Sequence, residues 1–162
     1  MLPTIDWSND TVVMVDQRKL PRKETYVTCR TASEVARAIR KMVIRGAPAI
    51  GVAAAMGIAL GVNRSKLKGM HAFATEFYRT CDLMAATRPT AVNLFWAIAR
   101  MKAVFSTAAK AGQSPDEIKT KLESEAHRIH DEDVSNCRAL GAFGSEVVPD
   151  GARILTHCNA GA

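Results

Sequence analysis

Cysteine is scarce in this chain: Cys29, Cys81, Cys137 and Cys158 are the only four in 162 residues. They form no CxxC pair and no zinc-finger spacing, so neither a disulfide scaffold nor a structural zinc accounts for the fold. Aromatic residues are also few, at 6%. They do not interleave the basic residues as a single-strand nucleic-acid surface requires. Residues 1–10 lack the basic-then-apolar order of a signal peptide. The most apolar stretch, residues 47–62, is sixteen residues rich in Ala and Gly. A membrane span needs about 20 mostly large apolar residues, so this stretch reads as a buried helix. Internal repeats and low-complexity tracts are absent. Free thiols without an export signal point to the cytoplasm.

What is present fits a globular domain. Apolar residues make up 48% and charged residues 23%, which argues against disorder. The net charge of +6 is unevenly spread. Residues 1–110 carry 17 basic and seven acidic side chains, a net +10, while residues 111–162 carry five and nine, a net −4. A basic N-terminal part suits anionic partners such as phosphorylated small molecules, with nucleic acid the weaker option, unless an acidic remainder elsewhere compensates it.

Local patterns predict a small β element followed by helices. Val12, Val13 and Val15, then Tyr26 to Cys29 beyond a polar stretch with Pro21, read as strand, turn, strand. Thr31 with Glu34 forms a capping box that opens a helix expected to stop near Arg45-Gly46. Pro48 suits the first turn of a second helix, about 48–61, apolar nearly all round and therefore central. Its Ala53, Gly57 and Gly61 would let neighbouring backbones approach closely. A third helix is expected over about 69–86, and a fourth opens at Arg88-Pro89-Thr90. Ser114-Pro115-Asp116-Glu117 starts a fifth that runs to about 143, with Leu140 among its apolar positions. After a turn at Pro149-Asp150-Gly151, residues 153–157 read as one short buried strand. The fold class expected is an α+β N-terminal domain, residues 1–148. Residues 149–162 would be the first strand of an incomplete Rossmann-like α/β domain.

Two segments share one physical design. Arg45-Gly46-Ala47-Pro48 and Arg88-Pro89-Thr90 each place an arginine just before a helix start. Such a start presents unpaired N–H groups and a partial positive charge, and Gly46 and Ala47 have no bulk to keep an anion away. If both starts face one cleft, a phosphate could be clamped between Arg45 and Arg88. The alternative is that each arginine caps a helix end or pairs with a carboxylate. Cys158, in the turn after the last strand, sits where α/β sheets hold ligands and where turn N–H groups stabilise a thiolate, although free cysteines more often serve packing. His127 and His130 beside Asp131, Glu132 and Asp133 lack an evident third metal partner, and a solvated face is the better reading. Asn93 and Trp96 could reach a cleft at the start of the fourth helix.

Three ordered segments carry a resemblance: residues 45–51 (RGAPAIG), 88–94 (RPTAVNL) and 154–161 (ILTHCNAG). They resemble signature segments of the methylthioribose-1-phosphate isomerase family. Its superfamily also includes ribose-1,5-bisphosphate isomerase and the alpha, beta and delta regulatory subunits of translation initiation factor 2B. Trp7, Asp16-Gln17 and Leu20-Pro21 are similar to the isomerase branch as well. The resemblance implies conversion of 5-methylthioribose 1-phosphate to 5-methylthioribulose 1-phosphate in methionine salvage, without cofactor or metal, by a homodimeric enzyme. It implies that Arg45, Gly46, Ala47 and Arg88 bind substrate and that Cys158 stabilises the transition state or assists proton transfer. Phe95 and Trp96 could line a slot for the methylthio group. The family's proton-donor aspartate lies beyond the CNAG segment, so the chain is expected to be an N-terminal part without turnover of its own.

Overall fold

The computed structural model describes residues 3–157. Strands β1 (Ile5–Ser8), β2 (Thr11–Val15) and β3 (Tyr26–Cys29) form one antiparallel sheet in the order β1-β2-β3. The sheet thus has three strands, where the sequence pattern suggested two. The turn between β1 and β2 explains the extra strand. Asn9 and Asp10 both take positive φ (49° and 54°), the backbone that a two-residue hairpin loop demands and that Asn and Asp tolerate. Alternation then puts Ile5, Val12, Met14 and Cys29 on the buried face, against the helices.

Helix α1 (Ala32–Arg40) opens on the capping box expected of Thr31 and Glu34. It ends five residues before the anticipated stop near Arg45. Met42 adopts a φ of 59°, which breaks the helix and turns Val43 and Ile44 into the core. The Gln17 N–H donates to the Val43 carbonyl at 2.9 Å, so the turn is tied to the loop that follows β2.

Helix α2 (Ala47–Asn63) is the hub, packed against α1, α3, α4, α5, β1 and β2. Three of its glycines make this possible. A Cβ at Gly51 would lie 2.9 Å from the Asn93 carbonyl oxygen, one at Gly57 would meet Val35 and Met84, and one at Gly61 would meet Ala32 and Thr80. Small residues here permit helix backbones to approach, at a propensity cost of about 1 kcal/mol per glycine that packing must offset.

Helices α3 (Met70–Ala85), α4 (Val92–Lys110) and α5 (Pro115–Val147) complete the bundle. Phe77 and Phe105 stack with ring centroids 4.1 Å apart, joining α3 to α4. Helix α4 begins at Val92, so Pro89 and Thr90 belong to the preceding turn, in which the Ala91 N–H donates to the Arg88 carbonyl at 3.0 Å. The fourth helix, expected to open at Arg88-Pro89-Thr90, thus starts just beyond that segment.

Helix α5 starts on its expected capping box, Ser114 with Glu117. Ile118, Leu122, Ala126 and Ile129 are buried against α2 and α4, but beyond Val134 the helix is largely exposed. Leu140, expected on the buried stripe, is 75% exposed, and Phe143 and Val147 are equally open. Residues 153–157 form no strand and are exposed. A strand needs ladder partners for its N–H and C=O groups, and none pairs with this segment among the described residues. No helix among the described residues is long and apolar enough to cross a membrane.

Candidate functional site

The close approach of Gly51 to Asn93 has a second effect. Gly51 lies one turn into α2, and Asn93 is the second residue of α4, so the two helix starts lie side by side. Neither start is closed by its own sequence. The N-cap residues Gly46 and Ala91 offer no side-chain acceptor, and neither first turn holds an acidic residue. Helices α1 and α5, by contrast, close their starts with Thr31–Glu34 and Ser114–Glu117. The amides of Gly46, Ala47 and Ala49 donate to no acceptor among the described residues. Gly46 has φ of 96°, which strains any residue with a side chain. This geometry leaves two positive helix ends adjacent and open.

Two arginines border these ends. Arg45 is half-buried. Its backbone N–H donates to Gln17 Oε1 at 2.6 Å, its Nη2 donates to the Gln17 carbonyl at 2.9 Å, and its buried Nε has no partner among the described residues. Arg88 is half-buried in the turn before α4. Neither arginine forms an ion pair among the described residues, so the reading of each as a carboxylate partner does not hold there.

Asp16, next to Gln17 in the chain, is fully engaged elsewhere. It accepts from Arg18 Nε and Nη2, both at 2.7 Å, with Lys19 Nζ at 3.8 Å. The Arg18 hydrogen bonds hold its carboxyl below the usual carboxylate range. Asp16 is thus not free to offset the positive α2 and α4 starts; the carboxylates that line the adjoining groove are Glu132, bound to Arg100, and Asp133.

Beside the helix starts lies a mostly apolar groove of about 530 Å3, lined by Pro48, Val52, Val92, Trp96, Ile129 and Leu140 among others. Trp96 and Asn93, singled out in the sequence, both line it, whereas Phe95 does not. Trp96 is held by Arg100, whose guanidinium lies 5.4 Å from the ring centroid. Arg100 also binds Glu125 and makes a two-pronged contact with Glu132, at 2.5 and 2.8 Å, while Arg128 closes on Glu125 at 2.5 Å. Sequence reasoning missed this network. The spacing of Glu125, Arg128 and Glu132 at three and four residues on one helix was the available signal.

Of the sequence-derived candidates, the structure places Arg45, Gly46 and Ala47 at one helix start and Arg88 before the adjoining one. Cys158 lies outside the described residues. His127 meets the edge of Trp7, with ring centroids 5.7 Å apart, and His130 pairs with Asp131 at 3.0 Å. Among the described residues, no three His, Cys, Asp or Glu side chains group closely enough to hold a metal.

Residues 43–162 match the model of the initiation factor 2 subunit family, and the chain belongs to that family. It is 51% identical over 158 residues to the methylthioribose-1-phosphate isomerase of Geobacter metallireducens, a match covering 98% of this chain and 45% of that protein. Its fold is similar to that of the 5-methylthioribose 1-phosphate isomerase from Pyrococcus horikoshii OT3, with a TM-score of 0.88 and 42% identity over 93% of this chain and 42% of that one. It is also similar to the delta subunit of the translation initiation factor eIF-2B from A. fulgidus, with a TM-score of 0.85 and 39% identity over 99% of this chain and 46% of that one. The chain spans less than half the length of the relatives it matches.

Proposed function

We propose that this chain is the N-terminal part of a cytoplasmic aldose–ketose isomerase that converts 5-methylthioribose 1-phosphate to 5-methylthioribulose 1-phosphate. In this reading the phosphate sits at the joined starts of α2 and α4. Arg45 and Arg88 supply charge, and the Gly46 and Ala47 amides supply hydrogen bonds. The apolar groove lined by Trp96 takes the methylthio group. Cys158 stabilises the oxygen on which charge builds as hydrogen moves between C1 and C2. The acid that completes the reaction belongs to a Rossmann-like domain beginning near residue 149. The whole protein is read as a homodimer.

The observation that carries the proposal is the pair of open helix ends, brought together by Gly51 and Asn93 and flanked by two arginines without carboxylate partners among the described residues. The likeness to an eIF-2B delta subunit favours a second reading, a ligand-binding regulatory subunit without turnover. Calorimetry and product analysis on the whole protein separate the two, using 5-methylthioribose 1-phosphate, ribose 1,5-bisphosphate and a purine nucleotide. Ketose formed from the first sugar phosphate supports the isomerase. Preference for ribose 1,5-bisphosphate moves the substrate within the class. Nucleotide binding with no product from either sugar supports the regulatory subunit.

A further inference from the structure

Gln17 is 1% exposed, a position that an amide side chain occupies only when its polar atoms are bonded. Three of its bonds reach residues 43–45. The Gln17 N–H donates to the carbonyls of Val43 (2.9 Å) and Val15 (3.0 Å). Its Oε1 accepts the Arg45 backbone N–H at 2.6 Å, and its carbonyl oxygen accepts Arg45 Nη2 at 2.9 Å. The first of the Arg45 bonds fixes the Ile44–Arg45 peptide plane, one residue before Gly46, and the second fixes the guanidinium itself. These contacts span 28 positions of sequence, so Gln17 anchors the phosphate loop from a different element of the fold.

The choice of an amide matters. A carboxylate at position 17 could accept the same N–H but would bring a negative charge to the guanidinium. A hydrocarbon of similar volume would leave the Arg45 N–H without its acceptor. Only a neutral acceptor holds the arginine in place and leaves its charge for a ligand. The carboxylate that the chain does carry here, on Asp16, is bound by Arg18 and Lys19.

We infer that Gln17 is a positioning residue for the anion site, orienting both the backbone and the guanidinium of Arg45 without neutralising it. This rests on the phosphate-binding reading of Arg45. The test is steady-state kinetics of the whole protein with 5-methylthioribose 1-phosphate, comparing Gln17→Ala, Gln17→Glu and Arg45→Ala, with Tm recorded for each. Arg45→Ala and both Gln17 variants should raise KM about tenfold, the scale of one charged hydrogen bond. Because the phosphate is held alike in ground and transition states, kcat should stay within about threefold. Gln17→Glu is nearly isosteric and decides the matter if Gln17→Ala does not fold. A rise in KM for Arg45→Ala, with KM unchanged in the Gln17 variants and only their Tm lowered, overturns the positioning role. An unchanged KM for Arg45→Ala instead overturns the phosphate reading beneath it.

Discussion

A Cβ placed on Gly51 would lie 2.9 Å from the carbonyl oxygen of Asn93. This contact joins the starts of α2 and α4, and the oxygen is fixed in a helix backbone that has little room to shift. Gly51→Ala should therefore destabilise the chain by about 1–2 kcal/mol, overpacking outweighing the gain in helix propensity. Gly141→Ala, on the exposed half of α5 with nothing within 4 Å, should stabilise by up to about 1 kcal/mol. Urea denaturation of the two variants checks the contrast in sign.

Arg88→Ala should weaken inorganic phosphate binding by the whole protein about tenfold, the scale of a charge-assisted hydrogen bond. A change at Lys110, exposed at the end of α4, should alter it by less than about twofold. Titration calorimetry reads both. Equal losses in the two variants would remove the clamp.

Glu125 is 6% exposed and shared between Arg100 and Arg128. Removing it leaves Arg100 held by Glu132 alone and takes a close partner from Arg128, so Glu125→Ala should cost about 2 kcal/mol, the scale of a lost charged hydrogen bond. Glu132→Ala, at the exposed rim of the same network, should cost clearly less. Thermal and denaturant unfolding test the ranking.

Burial pushes the thiol of Cys29 up to about 11 and that of Cys81 up to about 12. In the native chain at pH 8 both should resist iodoacetamide while exposed Cys137 reacts, and unfolding should release them. The same shifts fix the sign of a pH effect. The unfolded thiols ionise near 9.0, so between that pH and the folded values the unfolded state binds fewer protons. The stability contributed by these thiols is complete below pH 9 and declines as pH rises through the folded values. Mass-spectrometric labelling and alkaline denaturation check the two parts.

Leu140, Phe143 and Val147 project from α5 with 71–80% of their surface exposed. Leu140→Lys with Phe143→Lys should reduce self-association of the 162-residue chain and leave its unfolding midpoint nearly unchanged. Sedimentation velocity across a concentration series measures the first effect, and a thermal melt the second.

Legibility followed the range of the forces involved. The starts of α1 and α5 could be read because Thr31–Glu34 and Ser114–Glu117 act over three residues, and α2 because no polar face interrupts it. The early end of α1 could not, since Met42 turns left-handed to let Val43 and Ile44 into a core assembled from distant segments. Strand β1 was hidden because Ile5-Asp6-Trp7-Ser8 has only two apolar residues, and its turn signal, Asn9-Asp10, lacks glycine. The candidate site divides in the same way. The arginines and small residues at helix starts are visible as letters. The contact that joins those starts, and the role of Gln17 in holding Arg45, depend on pairs far apart in the chain.

Helix α5 behaves as a beam clamped at one end. Its 33 residues extend about 50 Å at 1.5 Å per residue, and the grip of Arg100 on Glu125 and Glu132 marks where support ends. The last supported turn is braced by one guanidinium on α4, the same one that steadies Trp96. Altering Arg100 would remove that brace and loosen the wall of the groove in the same stroke.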